Sequence, residues 1–389
     1  MIKVLQISKY YDPYIGGIEQ VAKDISNAMA TCPEIQQKII CFNEDVSNDE
    51  HICHQNETVT DVVDGVEVVR CGCFAKVSSQ SLSMTYAEQL RKLMNEFQPE
   101  IVIFHYPNPF VTHLLLKYKK RPFKLVLYWH LDITKQRILK KCFHKQNLRL
   151  IKRANYVWGA TSKHLDESAY SHYFENKKVI MPYSIDENNL QISNEEIRQA
   201  DALRQKYAGD TLCFFIGRHV PYKGLKYLIE ASDYLKGDNI KFFVAGRGEQ
   251  TEELKVRAAT NPNVIFLGQI SDSQRRIFLY ACDIFCFPSI TRNEAFGLAL
   301  AEAMYFGKPA VTFTIPNSGV NYVNLNGVTG IECPNSDSKA YADAVKILAN
   351  DPILREIYGK NARNRVLDNF TFSTFEKNLI KELKQMVQK

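Results

Sequence analysis

No run of about 18 consecutive apolar residues occurs in this chain, and a membrane-spanning helix needs roughly that many. The opening Met1-Ile2-Lys3-Val4-Leu5-Gln6-Ile7-Ser8 turns polar too soon for a secretory leader, so the cytoplasm is the expected compartment. The paired C-x-x-C spacing of a structural zinc site is missing, also from the two clusters that invite the question, His51-Ile52-Cys53-His54 and Cys71-Gly72-Cys73. No metal is expected there. Other cysteines, Cys41, Cys213, Cys282 and Cys286 among them, lie in or beside apolar runs, where a free thiol behaves as a small hydrophobe. Acidic residues almost vanish between Lys117 and Arg153, where Asp132 stands alone against 13 lysines and arginines. That run fits either a solvated helical face or attraction to an anionic surface, a membrane leaflet or a phosphorylated substrate. It carries no recognisable nucleic-acid-binding motif, so nucleic acid is not an expected partner.

What is present fits a globular protein with two cores: 389 residues, 45% hydrophobic and 24% charged, with a net charge of +6. Apolar runs of strand length alternate with helix-length segments. The strand candidates of the first half are Val4–Ser8, Lys38–Phe42, Val66–Cys71, Ile101–His105, Leu125–His130, Tyr156–Ala160 and Val179–Met181. Ile18–Ala30, Tyr86–Phe97 and Arg137–Lys152 supply helical patterns between them. After a polar, poorly patterned stretch, Pro182–Asn194, the alternation restarts with Leu212–Ile216, Lys241–Ala245, Val264–Leu267, Ile284–Phe287, Ala310–Phe313 and Thr329–Cys333. Strands apolar on both faces and separated by helices predict open, doubly wound parallel sheets. The expected fold is therefore α/β, with two Rossmann-like domains facing a cleft: residues 1–185 and 186–370, the last helix (371–389) packing back on the first domain. Open parallel sheets bind ligands at the carboxyl ends of their strands.

Three motifs fall at such ends. Gly16 and Gly17 stand between the first strand and the first helix. A glycine pair there lets backbone N–H groups approach an anion, although it also serves plain turns. It is not the G-x-G-x-x-G fingerprint, which sets aside a nicotinamide enzyme. Next, Phe214-Phe215-Ile216-Gly217-Arg218 leads to Lys223-Gly224, placing two cations after a strand. They fit a clamp on a diphosphate leaving group or a pair of solvated surface charges equally well. Third, Glu294 and Glu302 flank a Phe296-Gly297-Leu298 turn that opens a helix. Backbone N–H groups at that start can receive phosphate oxygens, with Glu302 about two turns along and near the same face. Carboxylates so placed suit the hydroxyls of a sugar and a ribose, but a capped amphipathic helix shows the same pattern.

Taken together, Gly16-Gly17, Arg218 with Lys223, and Glu294-x7-Glu302 stand in the order and spacing of the family 4 glycosyltransferases. GRHVPYKGLKYLIEA (217–231) and EAFGLALAEAMYFGKPAV (294–311) look like that family's donor site. The resemblance covers the whole chain, most strongly from Leu212 to Cys333. It implies a GT-B enzyme whose second domain holds a nucleotide diphosphate sugar and whose first holds a saccharide acceptor. Arg218 and Lys223 would bind the diphosphate, Glu302 the ribose, and Glu294 with the Phe296–Leu298 backbone the sugar and phosphate. It also points to His130 beside the transferred sugar, a residue otherwise readable as a structural strand-end histidine. The subgroup pattern is His-Ser-Asp, and this chain departs from it with Leu131 between His130 and Asp132.

By the same resemblance the transfer retains anomeric configuration by front-face attack, because no matched carboxylate is left to act as nucleophile. Without an Asp-x-Asp in the donor region, neither an obligatory metal nor a cofactor is expected. His105–Pro109 (HYPNP) and Trp129–Gln136 (WHLDITKQ) resemble bacterial surface-polysaccharide enzymes, including mannosyltransferases. GDP-mannose is accordingly the first expected donor and a UDP-hexose the second. The expected acceptor is a saccharide carried on a lipid, with reversible docking at the inner face of the membrane. Three other readings compete: a nucleotide-sugar epimerase of related fold, a starch or sucrose synthase sharing the motifs, and a non-catalytic scaffold. A scaffold should have lost the two cations or the two glutamates, and all four are kept.

Overall fold

The computed structural model describes the chain except residues 15, 45–55, 78–79, 119–121, 132–136, 295, 317 and 389, and the side chains of 137–142. The His51-Cys53-His54 cluster and Asp132 lie outside the described residues. Two compact units result: Met1–Ser184 together with the chain from Phe372 onward, and Ile185–Thr371.

The first unit is built on strands β1 (Ile2–Ile7), β2 (Ile35–Phe42), β3 (Val59–Val63), β4 (Val66–Cys71), a small separate hairpin of β5 (Ala75–Val77) and β6 (Gln80–Leu82), then β7 (Ile101–Tyr106), β8 (Lys124–Trp129), β9 (Tyr156–Gly159) and β10 (Lys178–Ile180). Its main sheet runs β10, β9, β8, β7, β1, β2, β4, β3. Helices α1 (Gly17–Ala30), α2 (Tyr86–Glu96), α3 (Pro109–Leu115), α4 (Arg137–Arg153) and α5 (Ser162–Asp166) connect the strands. Every residue of β7 is buried, as a central parallel strand between two helix layers requires. One edge departs from the all-parallel expectation: β3 pairs antiparallel with β4. Asp64 and Gly65 join them with φ of 50° and 80°. Both values are left-handed, the signature of a tight hairpin turn that Asp-Gly favours.

The second unit repeats the plan with β11 (Thr211–Ile216), β12 (Ile240–Ala245), β13 (Val264–Gly268), β14 (Ile284–Phe287), β15 (Ala310–Phe313) and β16 (Gly330–Cys333). The order is β13, β12, β11, β14, β15, β16, with every neighbouring pair parallel. This is the strand order of a dinucleotide-binding domain, reversing direction between its first and fourth strands. Helices α6 (Asn194–Lys206), α7 (Leu225–Tyr234), α8 (Thr251–Ala258), α9 (Asp272–Ala281), α10 (Leu298–Tyr305), α11 (Val320–Val323), α12 (Ser338–Asn350) and α13 (Pro352–Asn369) belong to this unit, and α14 (Phe372–Gln388) to the first. The described cysteines are free and buried. Among the described residues no helix is long and apolar enough to cross a membrane.

Candidate active site

In the second unit the sheet reverses between β11 and β14, and crevices of that kind are where such sheets hold nucleotides. The loops after both strands meet there. Gly224 adopts φ of 64°, and a Cβ on it would fall 2.0 Å from the Pro288 carbonyl oxygen, so only glycine lets the two backbones touch. Ile290 N–H donates to the Tyr222 carbonyl oxygen across the same gap (2.9 Å). This closure brings Lys223 onto Glu294. Their side chains form an ion pair, each only 12–13% exposed, and the ammonium lies 5.0 Å from the Phe287 ring centroid. Ser289 Oγ donates to the same Glu294 oxygen at 3.2 Å, and Ser318 Oγ donates to the Glu294 backbone carbonyl. Glu294 is thus held through both its carboxylate and its main chain.

Arg218 stays exposed on the β11 loop, its guanidinium donating to Tyr222 Oη at 3.2 Å. His219, buried beside it, ties this loop to the next: its N–H donates to the Arg247 carbonyl oxygen (2.9 Å), and its own carbonyl accepts from Gln250 (3.0 Å). Its ring Nδ1 lies 3.0 Å from Thr251 Oγ1. Arg247, an exposed cation on the β12 loop, belongs to none of the three sequence motifs. Nothing in its local pattern marks it, because it enters through pairing of two loops.

Glu294 and Glu302 do not share a helix. Glu294 precedes α10, whose N-cap Gly297 has φ of 92°, so Glu302 sits about one turn into the helix rather than two turns along a common face. Phe296 is buried with its ring edge-on to Phe370 at 5.2 Å, and Leu298 is the first helical residue. Glu302 pairs with Arg275 of α9, whose Nη1 donates to both carboxylate oxygens at 3.1 and 3.3 Å. Burial raises the Glu302 carboxyl above its ordinary range, and Arg275 opposes that rise.

In the first unit the corresponding reversal falls between β1 and β7. Gly16 caps α1 without a side-chain hydrogen bond. Glu19 folds back over that first turn, so near that a Cβ on Gly16 would sit 2.2 Å from its Oε2. The helix start called on for an anion thus already carries a carboxylate of its own. Burial pushes that carboxyl up, while its own backbone N–H and Lys9 pull it down.

His130 follows β8 and is buried in a polar chain. Gln6 Oε1 lies 3.0 Å from His105 Nε2, His105 Nδ1 lies 2.9 Å from His130 Nε2, and His130 Nδ1 lies 2.7 Å from Tyr183 Oη. The Gln6 amide nitrogen donates to the Ala22 carbonyl oxygen, which leaves its oxygen as an acceptor. His105 must then carry its proton on Nε2, His130 likewise, and Tyr183 must donate to His130. Both rings stack, with centroids 5.2 Å apart and planes 4° from parallel, and Tyr128 stacks on His130 at 4.5 Å. Burial lowers the His105 pKa to about 3 and that of His130 well below its ordinary value, so both stay neutral. Each nitrogen of the His130 ring is already engaged within the chain. The sequence links neither of its partners, His105 and Tyr183, to His130, because they lie 25 and 53 residues away.

The family model "Glycosyl transferases group 1" matches residues 196–365, and "Glycosyltransferase Family 4" matches residues 15–177. The chain is similar to the O-antigen chain mannosyltransferase C of Escherichia coli, 26% identical over 95% of each chain. It is likewise similar to the D-rhamnosyltransferase WbpZ of Pseudomonas aeruginosa, 27% identical over 95% of this chain and 92% of the relative. Among solved structures, Anabaena HepE in complex with UDP superimposes with a TM-score of 0.77 at 17% identity, over 99% of this chain and 100% of that one.

Proposed function

The chain belongs to the GT-B glycosyltransferases of family 4, and from that premise we propose that it moves a mannosyl group from GDP-mannose to a saccharide acceptor in surface-polysaccharide synthesis. The observation that carries the placing of the donor site is the Lys223–Glu294 pair at the reversal point of the second sheet. It offers a cation for phosphate and a carboxylate for sugar hydroxyls at one spot. Arg218 joins Lys223 on the diphosphate, the Gly297 and Leu298 N–H groups receive its oxygens, and Glu302 takes the ribose. Gly16, Gly17 and His130 act from the acceptor-binding unit. His130 serves through its fixed position, since its ring nitrogens are engaged.

In the proposed step the acceptor hydroxyl oxygen bonds to the anomeric carbon on the face the diphosphate leaves, so configuration is retained. The bond from that carbon to the phosphate oxygen breaks, its electron pair goes to the diphosphate, and the departing oxygen takes the acceptor proton. The protein contributes orientation and stabilisation of negative charge by Arg218 and Lys223. No metal is required for that stabilisation. The similarity to the O-antigen chain mannosyltransferase supports mannose, and the proposed acceptor is a saccharide carried on a lipid. A UDP-hexose is the second reading; Anabaena HepE holds UDP on this fold, and a fold by itself selects no base. Incubation with GDP-mannose, UDP-glucose, UDP-galactose and UDP-N-acetylglucosamine, followed for nucleotide release and transfer, tests both. Turnover confined to a uridine donor would overturn the mannosyl reading, and acceptor-free interconversion of the sugar would overturn transfer itself.

A further inference from the structure

Glu302 is half-buried on α10, and among the described residues its carboxyl meets one cation, Arg275, reaching across from α9. A single nitrogen, Nη1, donates to both oxygens, while Nη2 turns to Asp272 on its own helix at 3.3 Å. The third guanidinium nitrogen, Nε, is buried and has no hydrogen-bond partner among the described residues. The guanidinium is therefore aimed by the carboxylates and not by where its own donors would be best satisfied.

Two consequences bear on a ligand. An ionised carboxylate has about four acceptor sites. Arg275 occupies one edge, which leaves an acceptor on each oxygen for two adjacent hydroxyl donors. A vicinal diol matches that spacing and that chemistry. Burial opposes ionisation of Glu302, and the neighbouring Arg275 cation favours it. A protonated acid would turn one acceptor into a donor, and a rotated carboxylate would offer only one oxygen.

We propose that Arg275 is a positioning residue that orients Glu302 so that both carboxylate oxygens accept the 2′- and 3′-hydroxyls of the donor's ribose. The inference rests on the reading that Glu302 binds ribose, and the two fail differently. The probes are GDP and UDP, each beside its 2′,3′-dideoxy form, titrated calorimetrically against the wild-type protein, Glu302→Gln, Arg275→Gln and Arg275→Lys. The ratio of affinities between each ribose form and its dideoxy form reads hydroxyl recognition alone. In the wild type the ribose form of the cognate base should bind ~10–100-fold tighter, the worth of a charged hydrogen bond or two.

Glu302→Gln should cut that ratio to within a few-fold of one. Arg275→Gln should cut it similarly while dideoxy binding stays at the wild-type level, and Arg275→Lys, which keeps a cation, should recover part of it. If Arg275→Gln weakens both forms equally, or neither, while Glu302→Gln abolishes the preference, Arg275 is merely structural and the inference falls. If Glu302→Gln leaves the ratio intact, the ribose reading falls and takes the inference with it. Binding of neither nucleotide to the wild type overturns both.

Discussion

Lys223 and Glu294 are the two residues whose pairing changes what a substitution means. Because they neutralise each other in the structure, removing the lysine strips the proposed leaving-group cation and also releases a part-buried carboxylate that keeps the hydrogen bond from Ser289 Oγ. Lys223→Ala should lower turnover ~10²–10³-fold, as loss of one preorganised donor does. Arg218→Ala should act in the same direction without loosening Glu294, since Arg218 is exposed and bonded to Tyr222. Steady-state kinetics on folded variants read this, and a double variant with near-normal turnover would remove both cations from the diphosphate. The histidine pair makes a second forecast at this scale. His105 has a folded pKa of about 3 and His130 one well below its ordinary value, so as pH falls below about 6.5 the unfolded chain takes protons the folded one refuses. Stability contributed by their neutrality is present above about pH 6.5 and is lost as pH falls, by ~1.4 kcal/mol per unit for each group. Urea denaturation between pH 7 and pH 5 should show a steeper loss in the wild type than in His105→Gln; equal slopes would mean that another group dominates.

At the level of elements, α14 is the piece whose place in the chain and place in the fold disagree most. It closes the sequence yet belongs to the first unit. Phe375, Leu379, Leu383 and Met386 lie at helical spacing and are buried. At its ends Glu376 accepts from Thr31 Oγ1 (2.6 Å) and Lys384 donates to Glu34 (2.7 Å). Four large buried side chains are worth ~1.5–3 kcal/mol each, a large share of a domain's net stability. Truncation before Phe372 should therefore melt the first unit several degrees or more earlier while leaving the second unit's transition in place. Calorimetry resolves the two, and a single unshifted transition would contradict the division. The strand periods and the Asp-Gly turn show how much of the element level is legible in sequence. β4, β14 and β15 begin and end where their apolar runs do. The edge strand β3 is not visible as a run, since its residues are half-exposed alternately and its only signal is the Asp64-Gly65 turn after it.

For the whole molecule the open matter is its working surface. Of the basic stretch Lys117–Arg153, the described Lys117, Lys145, Arg149 and Lys152 are exposed. Arg153 instead serves the fold, its guanidinium 4.6 Å from the Phe123 ring centroid and bonded to the Phe123 carbonyl oxygen. Exposed cations on the first unit suit an anionic leaflet, at about 1 kcal/mol for each near the surface. Sedimentation with anionic vesicles should show binding at low ionic strength that salt reverses. Lys145→Glu with Arg149→Glu and Lys152→Glu should weaken it without touching donor hydrolysis in solution. Equal binding to neutral vesicles, or none to either kind, would return the stretch to an ordinary solvated face.

The sequence by itself determined the elements and their order, because a buried parallel strand needs an unbroken apolar run and a helix needs its own period, both local properties. It also determined which residue types stand after which strands: Arg218 and Lys223 after β11, Glu294 after β14, His130 after β8. Tertiary structure decided what those residues meet. Lys223 finds Glu294 at a distance of 71 residues, Glu302 finds Arg275 on another helix, and His130 is kept neutral by burial between His105 and Tyr183. Such partners are chosen by strand order and loop closure, and a one-dimensional pattern carries neither. Local spacing can name a charged group, but only packing sets its partner, its burial and hence its protonation.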